Sequence, residues 1–220
     1  LQVATGPHAG LIAMNLPRSL CVPYFANMAA SGLASATMAT GDPAYAQAAW
    51  RWLEWYAAHM DAQGFVTDYE LRSGVWTSTG DFDSTDAYAA TFLSAVRDVY
   101  AVTGDGARLT AMWPAVRKAT TAILATAAPG YLTYAKPGWN LKYAMDNAEV
   151  YEGWKAVAEL AIAQGDAQTR ALADEWVAGM QVSLATFWNE TTGAYDVALT
   201  DTAVRHPADW SVFYPSVTAQ

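Results

Sequence analysis

Apolar residues along this chain return with a helical period, and the helices they predict come in pairs of unlike character. From about Pro43 to Met60 the stripe Tyr45, Ala48, Ala49, Trp52, Leu53, Tyr56 and Met60 faces one way, with Gln47, Arg51 and Glu54 opposite. A helix with one apolar stripe belongs to an outer layer. The segment from about Ser84 to Val102 differs: Tyr88 to Val96 is apolar or small all round, and charge waits until Arg97 and Asp98. A helix of that kind is enclosed by protein, so it belongs to an inner layer. The fourth segment, about Ala107 to Ala127, returns to a stripe of Leu109, Met112, Trp113, Val116, Thr120, Ile123 and Leu124, with Arg117 and Lys118 outside it. Two further segments follow, Met145 to Ala163 with Val150, Tyr151, Trp154, Val157 and Leu160, then Gln168 to Trp188 with Leu172, Trp176, Met180, Leu184 and Phe187. A first helix runs from near Pro17 to Met38, its regular start delayed by Pro23.

Punctuation between the segments repeats. Gly41-Asp42, Gly104-Asp105 and Gly165-Asp166 recur at intervals of 63 and 61 residues, and each reads as a tight turn in which Asp caps the next helix. Each unit is thus a helical hairpin. The returns, 61 to 83, 128 to 144 and 189 to 209, are long and share the echoes Gly64-Phe65-Val66, Gly130-Tyr131-Leu132 and Gly193-Ala194-Tyr195, each suited to a short extended segment after a glycine helix cap. All long returns lie on one rim, and that excess length suggests a binding surface. Asp83 and Asp146 are 63 residues apart, as are Asp86 and Glu149, so like positions of successive inner helices meet at that rim.

Composition narrows the chemistry. With 53% apolar and 13% aromatic residues the 220-residue chain fills a core, and 12 basic against 21 acidic residues give a net charge of −9 that argues against nucleic acid as a partner. No membrane span is legible, because polar groups interrupt every helix. Cys21 alone makes neither a disulfide framework nor an all-cysteine metal site and reads as a small buried hydrophobe. His8, His59 and His206 have no metal-ligand spacing, and no zinc, phosphate-loop, dinucleotide or serine-nucleophile motif occurs. A hard cation at Asp81, Asp83 and Asp86 is the one metal alternative; the favoured reading has neither metal nor cofactor. Neither compartment nor oligomeric state is written in the pattern, and the Asn189-Glu190-Thr191 triplet reads as a loop asparagine.

Alternating inner and outer hairpins curve into a double-layered ring, for which six units of about 63 residues need about 380. Three units are present, about 17–82, 83–144 and 145–206, with the start of a fourth at 207–220, so a single-domain partial ring is expected. The run Asp81-Phe82-Asp83-Ser84-Thr85-Asp86-Ala87-Tyr88-Ala89-Ala90-Thr91-Phe92-Leu93 resembles the polar start of an inner helix in six-hairpin glycosidase-like proteins of the (α/α)6 toroid class. Leu141-Lys142-Tyr143-Ala144-Met145-Asp146-Asn147-Ala148-Glu149-Val150-Tyr151-Glu152-Gly153 resembles the next start, and Pro23-Tyr24-Phe25-Ala26-Asn27 a preceding one. The resemblance implies an all-α toroid and carbohydrate chemistry, since members include inverting glucan hydrolases and hydrolases of unsaturated uronyl saccharides that use carboxylates at inner-helix starts.

Glycoside hydrolysis needs a protonated carboxyl for the leaving oxygen and an ionised one to activate water or attack the sugar. Asp86 is assigned as acid and Glu149 as base, with Asp146 and Asp83 as further catalytic candidates; Asp83 alone is also well explained as a helix cap. Trp76, Trp139, Tyr143, Tyr88 and Trp210 are candidate sugar contacts at the rim, and Arg72, Lys142 or Arg18 would pair with an acidic sugar or with the aspartates. Trp52, Trp113 and Trp176 read as core. Saccharide binding without turnover, or a structural scaffold, are the alternatives.

Overall fold

The computed structural model describes residues 1–16, 18–202 and the backbone of 205–206. Three helical hairpins follow one another: α1 (Pro23–Thr40) with α2 (Pro43–Ala58), α3 (Thr85–Thr103) with α4 (Gly106–Ala125), and α5 (Ala144–Gln164) with α6 (Ala167–Ser183), which ends in a short 3-10 turn, Leu184–Phe187. α3 packs against both α1 and α5, while α2, α4 and α6 lie behind them, so the alternation read from the stripes is the observed layering. The inner faces meet closely. A Cβ on Gly153 would come within 2.9 Å of the Ala90 backbone, so the absence of a side chain there sets the α3–α5 approach.

Each Gly-Asp pair does what its chemistry predicts. Gly41, Gly104 and Gly165 close α1, α3 and α5 in the left-handed region at φ 74°, 60° and 67°. Asp42, Asp105 and Asp166 then accept the backbone N–H of Ala44, Arg108 and Thr169 at the next helix start. α1 begins later than its apolar pattern suggests, with Pro23 in its first turn, where a missing N–H costs nothing.

The residues before it form β1 (Leu20–Cys21), which pairs antiparallel with β2 (Tyr69–Arg72), itself a hairpin with β3 (Val75–Ser78). The later returns carry β4 (Ala127–Ala128) with β5 (Leu132–Thr133), β6 (Lys142–Tyr143), β7 (Trp188–Asn189) with β8 (Ala194–Tyr195), β9 (Ala198–Leu199) and β10 (Arg205–His206); β9 sits between β6 and β10. The rim is thus knitted by short strands. Gly64, Gly130 and Gly193 do adopt positive φ, but inside these loops; α2 and α4 end at His59 and Thr126 instead.

Trp50, Trp52 and Trp154 are fully buried, Tyr56 stacks on Phe92 at 4.4 Å, and Trp154 stacks on Trp176 at 5.4 Å. Trp113 is half-buried and its Nε1 donates to Asp166 across two hairpins. Cys21 is buried, which pushes its thiol far above the ordinary range and leaves it inert. Among the described residues no helix is long and apolar enough to cross a membrane.

Candidate active site

The starts of α1, α3 and α5 all face the long returns, and the carboxyl groups of Asp86, Asp146 and Glu149 gather there. Asp86, in the first turn of α3, is 0% exposed. Its Oδ2 accepts Thr133 Oγ1 at 2.6 Å and its Oδ1 accepts the Ala87 N–H at 2.8 Å. Ser84 Oγ lies 2.7 Å from the same Oδ1 and 2.6 Å from Asp146 Oδ2 on α5. A hydroxyl carries one hydrogen, so both Ser84 contacts are hydrogen bonds only when one carboxyl is protonated and donates to Ser84 while Ser84 donates to the other. Asp86 already collects two other donors and holds the charge; Asp146 holds the proton. Burial is the main reason both acids titrate high, Asp86 at about 7 and Asp146 well above the ordinary carboxylate range, with the Asp86 charge raising Asp146 further. Asn147, also buried, fastens this corner by taking the Thr133 N–H and donating to the Thr133 and Tyr143 carbonyls.

Glu149 lies one helical turn beyond Asp146 and is half-buried. Its Oε1 accepts Tyr24 Oη from α1 at 2.5 Å, whereas Oε2 is buried with no hydrogen-bond partner. An unpaired buried oxygen disfavours the anion. Burial lifts Glu149 to about 8 against the opposing pull of the Tyr24 bond, and any ionisation of Asp146 would lift it further. Burial also holds Tyr24 far above its ordinary range, so it stays a neutral donor.

The rim register brings two pairs of acids together. The 63-residue interval pairs Asp86 with Glu149, and their charges do feel each other. The direct bridge runs from Asp86 to Asp146, because α5 starts at Ala144, a turn before Glu149. Asp86, fully buried, presents no surface of its own at the rim.

Asp83 is exposed and caps nothing; the cap position of α3 is Ser84, whose hydroxyl is committed to the two aspartates. Asp81 and Asp83 are exposed while Asp86 is enclosed, and no group of three His, Cys, Asp or Glu side chains suited to a metal occurs among the described residues. Tyr88 is buried and its Oη donates to Asp68 Oδ1 at 2.9 Å. Tyr143 is buried at the cap of α5 and meets the 38% exposed Trp139 edge to face, with Lys136 above the Trp139 ring. Trp76 lies on β3 packed against the main core, and Arg72, at the end of β2, pairs with Glu70. Lys142 is tied to Asp201 at 2.6 Å, and Arg18 is exposed. Trp210 falls outside the described residues.

Asp68 was invisible to sequence reasoning. It sits in a return rather than at a helix start and has no partner at the repeat interval; only the β-hairpin after it brings it to Tyr88.

No protein-family profile matches the sequence, and no curated protein matches it. Among solved structures the chain superposes on a sugar epimerase from a ruminal bacterium with a TM-score of 0.62 and 11% identity, covering 86% of this chain and 50% of that one. It also superposes on a GH76 alpha-mannanase of Bacteroides thetaiotaomicron with a TM-score of 0.53 and 16% identity, covering 80% of this chain and 47% of that one. The fold shared with these structures is an all-α toroid of helical hairpins, and the chain spans about half the length of the two structures it matches.

Proposed function

We propose that this rim hydrolyses glycosidic bonds, with Glu149 as the proton donor to the leaving oxygen. One observation carries the reading: Glu149 is a half-buried carboxyl, anchored by Tyr24 on one oxygen and unpaired on the other, whose surroundings keep it protonated at neutral pH. A general acid needs that protonated state. The expected order, Asp86 as acid and Glu149 as base, is therefore reversed for Glu149, and Asp86 with Asp146 and Ser84 becomes the wall that positions it. The negative charge shared by that wall opposes ionisation of Glu149.

Trp139 offers a half-exposed face on which the apolar side of a sugar ring would rest. Carbohydrate as the substrate class also draws on the solved neighbours, one described as a sugar epimerase and the other as an alpha-mannanase. The test is a saccharide panel assayed for new reducing ends with wild type and Glu149→Gln, saccharide binding being measured alongside. Turnover that falls by about 10²–10⁴-fold in the variant, with binding and melting temperature kept, supports the role. Wild-type rates in Glu149→Gln would reject Glu149 as the acid, and binding without turnover by the wild type would make this a saccharide-binding toroid.

A further inference from the structure

A hydrolase of this kind needs a second carboxyl, ionised when the first is protonated. Asp86 and Asp146 are sealed, which leaves the half-buried Asp68 and the exposed Asp81 and Asp83. Asp68 mirrors Glu149: each is half-buried, and each has one oxygen held by a tyrosine hydroxyl, Tyr88 for Asp68 at 2.9 Å and Tyr24 for Glu149. The two tyrosine rings are neighbours, with centroids 6.2 Å apart. Tyr88 and Tyr24 come from adjacent inner helices, so each acid is held by one phenol of a neighbouring pair. We propose that Asp68 is the general base of this site, taking a proton from the water that attacks the anomeric carbon while Glu149 protonates the departing oxygen. This rests on the hydrolase reading and completes it.

The step balances. Water's oxygen forms the new bond to the anomeric carbon as its proton passes to Asp68. The glycosidic C–O bond breaks, its electron pair goes to the leaving oxygen, and that oxygen takes the Glu149 proton. Asp68 ends protonated and Glu149 ionised, and exchange with solvent resets both. Direct displacement by water inverts the anomeric centre.

The surroundings of the two acids differ in the direction this needs. Around Asp68 stand Tyr88 from α3, Asp81 and Asp83 from the return, and Cys21 from β1; burial raises it to about 6 and the Tyr88 hydrogen bond holds it down. Around Glu149 stand Tyr24 from α1, Asp146 from its own helix and Asp86 from α3, and it titrates at about 8. Between those values Asp68 is ionised and Glu149 protonated, so kcat/KM should follow a bell with limbs near pH 6 and 8.

The experiment uses the full chain and a panel of p-nitrophenyl and 2,4-dinitrophenyl glycosides of neutral hexoses and uronic acids. Asp68→Asn should lower kcat by about 10²–10⁴-fold on both leaving groups and remove the acid limb. Glu149→Gln should cut p-nitrophenyl turnover, spare the dinitrophenyl substrate, which leaves without a proton, and remove the alkaline limb. Tyr88→Phe keeps the ring in the core and should move the acid limb to higher pH, because the hydrogen bond that favours the Asp68 anion is gone; this holds even where Asp68→Asn folds poorly. Products should emerge with inverted anomeric configuration by NMR. Asp68→Asn with turnover within about twofold of wild type and its acid limb intact, or retained configuration, overturns the base role while leaving Glu149 as acid. A wild type inert on the whole panel removes the hydrolase reading and this inference with it.

Discussion

The two ends of the same helical hairpins use the same side chain for opposite purposes. At the turn end Asp42, Asp105 and Asp166 accept backbone N–H groups at helix starts. Asp166 also accepts Thr169 Oγ1 at 2.8 Å and Trp113 Nε1 at 3.2 Å, and the Thr169 bonds draw its pKa below the ordinary value. At the rim end burial lifts Asp86, Asp146, Glu149 and Asp68 above theirs. Water decides the sign. A carboxylate in reach of solvent gains from every N–H offered to it, whereas one enclosed among Tyr24, Tyr88 and the α3–α5 contact loses more hydration than those bonds return. The turn end spends its aspartates on holding helices together; the rim keeps protons in place.

Removing the rim bridge should have the largest effect on stability. Ser84→Ala deletes the hydroxyl between Asp86 and Asp146 and leaves two enclosed carboxyls facing each other, a loss of about 1–3 kcal/mol by denaturant titration. The loss should grow as pH rises, because both acids then tend to ionise without the shared hydrogen. A variant as stable as wild type at pH 8 would show that the bridge does not hold the rim, and the contrast between the ends would reduce to burial alone.

The pH dependence of wild-type stability comes next. Carboxyls whose folded pKa is raised bind protons better folded than unfolded, so their contribution is complete below the ordinary values of 3.8 and 4.5 and is lost as pH climbs through the raised ones. A carboxyl held one pH unit high costs about 1.4 kcal/mol at alkaline pH, or about 3–6 °C of Tm in a chain of this size. Tm should therefore fall between about pH 4 and 8, the span over which Asp68, Asp86 and Glu149 titrate. Glu149→Gln should flatten the slope. A Tm that rises steadily from pH 5 to 9 contradicts the rim assignment.

These two predictions rest on features of different legibility. The turn end could be read directly, because Gly-Asp encodes a left-handed residue and a cap within two adjacent positions. The inner and outer layers were legible for the same reason: Tyr88 to Val96 carries no polar face, while the stripe from Tyr45 to Met60 carries one. The rim was legible only in composition. Asp86, Asp146 and Glu149 could be picked out as acids at inner-helix starts, but their roles depend on burial, and burial depends on neighbours distant in sequence such as Thr133 and Tyr24. A repeat of 63 residues pairs Asp86 with Glu149 and does not announce the Ser84 bridge to Asp146, which follows from α5 beginning a turn early. Asp68 carries no local signal at all, since the β2–β3 hairpin that places it joins residues by cross-strand pairing rather than by periodicity.

The turn end is tested by Asp166→Ala, which removes acceptors from the Thr169 N–H, the Thr169 hydroxyl and Trp113 Nε1. The expected loss is about 1–2 kcal/mol at neutral pH. Its sign against pH is opposite to that of the rim: a lowered carboxyl stabilises above its ordinary pKa, and that contribution is lost as pH falls through the folded value. The Asp166→Ala deficit should shrink below pH 4, where the Ser84→Ala deficit is also at its least. Saccharide turnover should be unchanged, because α6 contributes no group to the rim acids. A fall in turnover that tracks the fall in stability would mean that the two ends are coupled through the α5–α6 hairpin.

The smallest effect separates charge from shape. Asp42 caps α2 through one bond, from the Ala44 N–H at 2.9 Å, beside the left-handed Gly41. Asn presents the same oxygen at the same place, so Asp42→Asn should stay within about 0.5 kcal/mol of wild type, whereas Asp42→Ala should cost about 1 kcal/mol. The same isosteric exchange at the rim, Glu149→Gln, replaces an acidic hydroxyl with an amide that has no proton to release. It should leave the fold in place and abolish most turnover. Chemical denaturation of the Asp42 pair and turnover of Glu149→Gln thus measure one substitution type in two settings. If Asp42→Asn costs as much as Asp42→Ala, charge against the α2 amide dipoles matters more there than the hydrogen bond, and the turn end too would work by electrostatics rather than by geometry.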